Sequence, residues 1–290
     1  MFADRLIEAV RSKGTPLCVG LDPLPDRIPE FFGQGVAAVR TFCESIVDIA
    51  ADHAAIVKPQ LGFFEPFGAE GFAVAQALCA RAQTKGLLVL LDAKRGDIGT
   101  TAEGYAKASF GIAGFNADCV TVNPYLGRDS LEPFLKLAEQ QKRGVAVLVR
   151  TSNPGARDLQ DLDVNGAPLW RRVGEMIAPE AARLKGASGW SGLMAVAGAT
   201  YPDEARTLRQ TLPTSLFLVP GYGAQGASAT DAVAGFIRGP HGREGGIVSS
   251  SRAVLYPAAA QEAQSLPAWR ASIAEAMASA ATELALACTE

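Results

Sequence analysis

The chain has 290 residues, of which 48% are hydrophobic, and its 30 glycines and 17 prolines allow a large apolar core with many turns. The formal net charge is −3 and the basic residues are scattered, which argues against nucleic acid or an anionic membrane as a partner. We also expect no membrane-spanning segment, because no apolar run approaches the roughly 20 residues that a span requires.

The N-terminal residues 1–14 place Asp4 and Glu8 among apolar residues at helical spacing. This pattern predicts an amphipathic helix rather than a secretory signal. The five cysteines are odd in number, far apart and mostly within apolar runs, so we expect reduced core thiols in a cytoplasmic protein. The two histidines, His53 and His241, are isolated, and no zinc-binding spacing is present.

The rest of the chain alternates apolar runs with helical patterns. The runs predicted as strands cover residues 15–23, 54–60, 87–91, 118–124, 144–152, 192–198, 216–223 and 247–255. The helical patterns that follow them cover residues 36–51, 69–84, 101–110, 131–141, 168–185, 203–210, 230–236 and 258–287. Such alternation is typical of right-handed βαβ units that build a parallel sheet.

Eight repeats in a chain of this length favour a (β/α)8 TIM barrel over an open doubly wound sheet. An open dinucleotide-binding sheet would require a G-x-G-x-x-G motif after the first strand, and residues 20–27 do not supply one. No linker with a sharp change of composition interrupts the pattern. We therefore expect a single barrel domain over residues 1–290, with an N-terminal helix and a long C-terminal helix.

The third predicted strand carries the most informative chemistry. Its apolar residues 87–91 have no alternation, as in a strand covered on both faces, and four charges follow: Asp92, Lys94, Arg95 and Asp97. Asp92 and Lys94 are two residues apart, so an extended chain would point both to one side. An ammonium beside a carboxylate at a buried strand end indicates either an active site or a structural ion pair, and this stretch alone leaves both interpretations open.

Other predicted strands also end in polar residues. In a barrel these ends meet at one mouth, which is where active sites of this fold lie. Charges at the ends of three successive strands are harder to explain as solvated strand ends than any single one. The polar residues at the strand ends are Asp22, Lys58, Asp92, Lys94, Asn123, Thr151, Ser152, Ser251 and Arg252.

The loops after the last two strands suggest a phosphate site. Gly221, Gly223 and Gly226 allow a close backbone approach to a ligand, and Gln225 offers an amide. Arg252 adds a guanidinium that matches phosphate oxygens. The alternative is a mobile turn beside a surface arginine.

These motifs together resemble the orotidine 5′-phosphate decarboxylase family. The Asp-x-Lys-x-x-Asp motif at residues 92–97, followed by Ile98, is similar to its signature, and the segment at residues 58–65 and the chain length resemble its longer bacterial subgroup. One departure is Ser251, where many relatives have glycine before the arginine. The other matching segments are Leu21-Asp22, Ser152-Asn153-Pro154-Gly155, residues 220–226 and Ser251-Arg252.

The resemblance implies conversion of orotidine 5′-monophosphate to uridine 5′-monophosphate and carbon dioxide, the last step of de novo pyrimidine synthesis. It implies that Lys94 protonates the C6 carbanion, that Asp92 lies near the substrate carboxylate and that Lys58 holds the charge array and reaches the ribose. It further implies that Asp97 and Thr101 reach into the site of the other subunit of a homodimer.

The resemblance also assigns the substrate-binding residues. Asp22 would bind a ribose hydroxyl, Ser152 would contact the pyrimidine, and Gln225 and Arg252 would hold the phosphate, with Pro220 also among the binding residues. No cofactor and no metal are implied, since an ammonium beside the reacting carbon stabilises the carbanion.

Three alternatives remain at this point. A metal-dependent phosphosugar decarboxylase of the same broad family keeps a related strand-three motif, but Lys58 and the Gln225 loop favour the nucleotide. A class I aldolase would use Lys94 or Lys58 as a Schiff-base amine, which the adjacent carboxylates disfavour because they stabilise the charged form. The last alternative is a non-catalytic barrel that binds nucleotides.

Overall fold

A computed structural model describes residues 1–223 and 226–289 and shows a closed barrel of eight parallel strands. Each barrel strand pairs with the next one along the chain, and the last pairs with the first. This confirms the predicted (β/α)8 barrel. In chain order the strands are β1 (Leu17–Leu21), β2 (Ile56–Pro59), β3 (Leu88–Arg95), β4 (Cys119–Val122), β5 (Gly144–Arg150), β6 (Ser191–Ala197), β7 (Ser215–Val219), β8 (Ile237–Gly239), β9 (Gly242–Glu244) and β10 (Gly246–Ser250), of which β8 and β9 form a separate hairpin.

The helices surround the barrel and connect its strands. They are α1 (Phe2–Lys13), α2 (Gly35–His53), α3 (Gly68–Thr84), α4 (Gly99–Phe110), α5 (Arg128–Gln141), α6 (Arg157–Gln160), α7 (Leu169–Ile177), α8 (Pro202–Thr211), α9 (Ala229–Ala232), α10 (Arg252–Leu255), α11 (Ala258–Gln261) and α12 (Leu266–Thr289). The predicted N-terminal amphipathic helix is confirmed as α1, whose buried side chains lie on one face.

Helix α1 closes the amino-terminal end of the barrel. Its residues Phe2, Leu6 and Ile7 are buried in the same apolar cluster as the inward-facing residues of the strands. Phe2 lies so close to Gly144, the first residue of β5, that a β-carbon there would come within 2.4 Å of the ring. The interior is therefore packed at the amino-terminal end of the strands, and in residues 1–223 and 226–289 the opposite end of the barrel is open to a ligand.

Strand alternation explains which side chains reach that open end. Ile56 and Leu90 are completely buried inside the barrel, and the side chains two positions later are those of Lys58 and Asp92. Because side chains on a strand repeat with a period of two, both charged groups also point inward, one layer above the apolar core. The apolar interior thus ends at the level of Ile56 and Leu90, and the layer with Lys58 and Asp92 forms the floor of the open end.

Two regions differ from the sequence-based expectation. Residues 230–236 were predicted as a helix, but α9 covers only Ala229–Ala232, and the hairpin β8–β9 that follows was not predicted. The expected single helix over residues 258–287 is broken into α11 and α12. Pro267 explains the break, since proline disfavours a helical residue before it and is tolerated in the first turn of a new helix.

Helix α12 also corrects the expectation that no apolar run approaches the length of a membrane span. Its 24 residues are long and apolar enough to cross a bilayer by length and composition. In this structure Trp269, Ile273, Met277 and Leu284 are buried in the core between the helix layer and the barrel. Burial covers 33% of its most apolar window, so one face of the helix packs on the protein, and length and composition alone are weak evidence for a membrane span.

The five cysteines agree with their predicted role. Cys18, Cys43, Cys79, Cys119 and Cys288 are all buried and carry free thiols. Burial raises the pKa of the Cys18 thiol to about 12 and that of Cys288 to about 11. They are core residues rather than reactive groups.

Candidate active site

A cavity of about 440 Å³ opens at the carboxyl end of the barrel. It lies above the apolar interior, at the end where sites of this fold are found. Seven of the ten residues predicted for the site line this cavity: Asp22, Lys58, Asp92, Lys94, Ser152, Pro220 and Arg252.

Asp92 is the central acceptor of the cavity. Its Oδ2 atom accepts hydrogen bonds from Lys58 Nζ at 3.0 Å and from Gln60 Nε2 at 2.8 Å. Its Oδ1 atom accepts from Lys94 Nζ at 2.7 Å and from Thr121 Oγ1 at 2.9 Å. Four converging donors fix the orientation of the carboxylate and favour its ionised form.

The buried ammonium of Lys58 links two carboxylates. Its Nζ atom lies 3.0 Å from Asp92 and 3.8 Å from Asp22 Oδ1. Asp22 Oδ1 is also buried, and no hydrogen-bond donor satisfies it among residues 1–223 and 226–289. A buried carboxylate oxygen without a donor is costly, so a ligand hydroxyl would be stabilised here.

Lys94 reaches Asp92 through an irregular backbone. Its φ angle is 47°, in the left-handed region that residues other than glycine seldom adopt, and the pairing of β3 with β4 skips from Leu91 to Arg95. The two charged side chains therefore meet through a bulge, not through the alternation of an extended strand that the spacing suggested. The Lys94 side chain is 46% exposed, so its ammonium faces the open cavity.

The charges in this array stabilise each other. Burial raises the pKa of Asp92, but the ammonium groups of Lys58 and Lys94 outweigh it and hold that pKa well below its usual range. Burial lowers the pKa of Lys58, but the carboxylates of Asp92 and Asp22 outweigh it and raise that pKa above its usual value. Both shifts favour the ionised forms of Asp92 and Lys58 at neutral pH.

We expect Asp92 to contribute to acid sensitivity. Its folded-state pKa lies below its unfolded value of about 3.9, so its contribution to stability is present above that pH and is lost as the pH falls toward the folded pKa. The free energy of unfolding in urea should decrease as the pH falls below about 4. Asp92→Asn should be less stable at pH 7, because it leaves Lys58 poorly paired, and should lose less stability on acidification.

The control for this measurement is Asp203→Asn, since the Asp203 side chain is 89% exposed. This variant should retain the acid dependence of the wild type. An Asp92→Asn protein whose stability falls with pH as steeply as that of the wild type would contradict the assignment.

The opposite side of the cavity carries the predicted phosphate residues. Pro220 and Gly221 follow β7, and Gly221 has a φ angle of 100°, which requires glycine. Arg252 begins α10 and is exposed at the cavity, and no carboxylate pairs with it in the described residues. Gln225 lies outside the described residues.

The two residues before Ser152 contact side chains of the polar loop that follows β5. The buried Arg150 pairs with Asp161 at 2.7 Å, and the Thr151 amide donates to Gln160 Oε1 at 3.0 Å. These contacts tie part of the polar loop after β5 to the strand end. Ser152, the next residue, lines the cavity.

Asp97 and Thr101 do not line the cavity of their own chain. Asp97 accepts a hydrogen bond from the Ile98 amide at 2.8 Å, and Thr101 is exposed in the first turn of α4. The prediction that they serve the cavity of a second subunit stays a prediction. The exposed side chains of Ile98 and Tyr105 lie on the same segment.

Two of the four donors to Asp92 are ammonium groups. Within the part of the chain that the structure describes, no group of three or more histidine, cysteine, aspartate or glutamate side chains is placed to hold a metal ion. The positions beside the carboxylate are occupied by Lys58 and Lys94. This arrangement suits the stabilisation of negative charge on a ligand.

Comparison with known proteins identifies the family. The model of the orotidine 5′-phosphate decarboxylase / HUMPS family matches residues 15–264. The chain belongs to this family. An orotidine 5′-phosphate decarboxylase from Deinococcus radiodurans is 44% identical over 261 residues, covering 88% of this chain and 89% of the relative. One from Rhodopirellula baltica is 40% identical over 269 residues, covering 88% of each.

A solved structure agrees with these sequences. The OMP decarboxylase of Leishmania donovani superimposes with a TM-score of 0.77 at 32% identity, covering 98% of both chains. As a member of the orotidine 5′-phosphate decarboxylase family, this chain is an enzyme of the carboxy-lyase class.

Two residues of this decarboxylase-family site were not among those predicted. Gln60 and Thr121 both donate hydrogen bonds to Asp92 and both line the cavity. Strand alternation accounts for the position of Thr121, which lies two residues after Cys119, a residue that the structure places facing the barrel interior. The strand-end rule pointed instead to Asn123, which does not line this cavity.

Proposed function

We propose that this chain decarboxylates orotidine 5′-monophosphate to uridine 5′-monophosphate and carbon dioxide in pyrimidine biosynthesis. The observation that carries the proposal is the ionised Lys58–Asp92–Lys94 array at one side of the cavity, with Arg252 at the other. A nucleotide has a reacting base at one end and a phosphate at the other, and the cavity offers partners for both.

The reaction begins with loss of the substrate carboxylate. The bond from C6 to the carboxylate carbon breaks, carbon dioxide leaves, and the electron pair remains on C6. The Lys94 ammonium stabilises the developing charge without reorganisation of solvent, because Asp92 already holds it in place at 2.7 Å. Lys94 then transfers a proton to C6 and regains one from water.

Asp92 has a second effect on the substrate. Its carboxylate would lie near that of the substrate and repel it, which favours decarboxylation. Repulsion of this kind is a contested source of catalysis, and we assign it a smaller share than the ammonium. The four hydrogen bonds donated to Asp92 favour its ionised form, which both the repulsion of the substrate and the pairing with Lys94 require.

The remaining cavity residues bind the parts of the nucleotide that do not react. The buried Asp22 Oδ1, without a donor in the described residues, accepts a ribose hydroxyl, and Lys58 beside it reaches the ribose. Ser152 contacts the pyrimidine. Gln225 and Arg252 hold the phosphate, with Pro220 also among the binding residues, and binding energy remote from C6 helps to organise the site.

The proposal includes a homodimer with shared sites and a cytoplasmic location. The half-buried Asp97 and the exposed Thr101 lie outside their own cavity, beside the exposed Ile98, which supports their use by a second subunit. The free thiols of all five cysteines support a reducing compartment.

The activity is tested by incubating the purified protein with orotidine 5′-monophosphate in excess EDTA and following uridine 5′-monophosphate by chromatography. We expect rapid conversion without added metal. Absence of conversion by a folded, dimeric protein would instead favour a metal-dependent phosphosugar decarboxylase, which the same assay with Mg²⁺ and sugar phosphates would detect.

Arg252→Ala should chiefly weaken binding of the phosphate. Loss of a charge-assisted hydrogen bond is expected to raise KM for orotidine 5′-monophosphate by about 10- to 100-fold. The measurement is steady-state kinetics, with Arg238→Ala as the control because Arg238 is exposed on β8 and does not line the cavity. An unchanged KM for Arg252→Ala would place the phosphate elsewhere.

A further inference from the structure

Thr121 lies between the carboxylate of Asp92 and the backbone of Lys94. It lies in β4, its side chain is almost completely buried, and it lines the cavity. Its Oγ1 atom lies 2.9 Å from Asp92 Oδ1 and also 2.9 Å from the backbone nitrogen of Lys94. One hydroxyl therefore contacts the carboxylate and the backbone of the ammonium-bearing residue at once.

The two contacts fix the direction of the hydroxyl proton. The Lys94 amide is a donor and cannot accept, so Thr121 Oγ1 accepts from it. The single hydroxyl proton is then free to point at Asp92, whose ionised oxygen only accepts. A hydrogen bond donated to the carboxylate favours its charged form.

The contact to Lys94 also supports its unusual backbone. Leu91 pairs with Val120 and Arg95 with Val122, so the residues between them on β3 bulge opposite Thr121. The Lys94 amide donates to the Thr121 hydroxyl in the bulge, where a regular strand would use a backbone carbonyl. A lysine with a φ angle of 47° persists only where its surroundings hold it.

We propose that Thr121 is a positioning residue that holds Asp92 and the left-handed Lys94 in register, so that the Lys94 ammonium meets C6 of the substrate. The role of the ammonium rests on the proposed function, whereas the geometric part does not. Thr121 acts through these two residues and does not itself transfer a proton to the substrate.

The test compares two substitutions of Thr121, one that removes the hydroxyl and one that keeps it. Thr121→Val keeps the volume and branching of the side chain but removes the hydroxyl, and Thr121→Ser keeps the hydroxyl but removes the methyl group. We expect Thr121→Val to lower kcat by about 100-fold, the effect of a misplaced reacting group, with little change in affinity for uridine 5′-monophosphate. Thr121→Ser should recover most of the lost kcat.

Crystal structures of both variants give a readout that does not depend on turnover. In Thr121→Val we expect Lys94 to leave the left-handed region or its ammonium to move out of hydrogen-bond distance of Asp92, with neither change in Thr121→Ser. If the wild type does not convert orotidine 5′-monophosphate, the proposed function fails while these structures still test the positioning.

Several results would overturn the inference. An unchanged Lys94–Asp92 geometry in Thr121→Val would do so whatever the rates. So would an unchanged kcat, a loss in Thr121→Ser equal to that in Thr121→Val, or a change confined to nucleotide affinity, which would place Thr121 in binding. Circular dichroism and thermal melting of both variants separate these outcomes from unfolding.

Discussion

Replacing Lys94 by alanine is expected to abolish turnover while leaving binding of uridine 5′-monophosphate nearly intact. Lys94 supplies both the charge that stabilises the carbanion and the proton that quenches it, so its loss should lower kcat by at least about 1,000-fold. Binding should survive because Asp22, Ser152 and Arg252 do not depend on the Lys94 side chain for their places in the cavity. The measurements are steady-state kinetics and calorimetric titration with the product.

The backbone of Lys94 requires a second variant. Alanine at a φ angle of 47° is strained, so the bulge in β3 could rearrange and disturb Asp92. Lys94→Gly removes the same side chain without that strain, and equal losses in both variants assign the effect to the ammonium. Lys142→Ala is the matched control, because Lys142 is another exposed lysine with a left-handed backbone, at a φ angle of 56°. Retained turnover in Lys94→Gly would exclude Lys94 as the proton donor.

Turnover by the wild type and trapping by borohydride separate this result from other interpretations of the barrel. A non-catalytic nucleotide-binding protein would bind the product equally well with or without Lys94, and its wild type would show no turnover. A Schiff-base enzyme would become covalently trapped on substrate by borohydride. The ion pair of Lys94 with Asp92 at 2.7 Å opposes that chemistry, because it stabilises the ammonium over the neutral amine.

The barrel and the centre of its site were predictable because the apolar pattern of each strand and the order of the strands along the chain indicate the same fold. Strands covered on both faces have no polar alternation, so a charge at the end of such a run marks the place where the strand leaves the core. Lys58 and Asp92 satisfy this rule and meet at 3.0 Å. The order of strands around a closed barrel then brings together residues that are distant in sequence.

The details around Asp92 were less predictable because they depend on tertiary contacts. Thr121 lies within an apolar run and is a common β-strand residue, so its type gives no warning of a role in the site. Gln60 is oriented by the Gly62 amide, which donates to its Oε1 atom at 3.2 Å, and this leaves its amide nitrogen for Asp92. The left-handed conformation of Lys94 opposes its local preference and arises from the bulge.

The C-terminal errors have a different physical origin. Alanine favours a helix throughout residues 258–287, so composition hides the interruption between α11 and α12 that Pro267 marks. The hairpin β8–β9 is short and polar, and Glu244 at its end is held by Arg11 at 2.8 Å. A contact between residues so far apart in sequence leaves no local pattern.

Mixing two inactive variants should restore activity if the active sites are shared. In a hybrid dimer of Lys94→Ala and Asp97→Ala subunits, the cavity of the Asp97→Ala subunit keeps its own Lys94 and receives Asp97 from the other chain. The second cavity lacks both groups. Random exchange at equal concentrations should therefore yield about a quarter of wild-type activity, because half of the dimers are hybrids with one complete site.

Asp92→Ala provides the matched control for this experiment. Asp92 and Lys94 contact each other within one chain, so mixing Asp92→Ala with Lys94→Ala cannot complete any cavity and should restore nothing. Subunit exchange is verified in both mixtures by native mass spectrometry of differently tagged chains. Recovery only with Asp97→Ala assigns that residue to the partner's cavity, as its exclusion from its own cavity suggests. If exchange is complete and neither mixture recovers, Asp97 acts within its own chain or not at all, and the shared site is wrong.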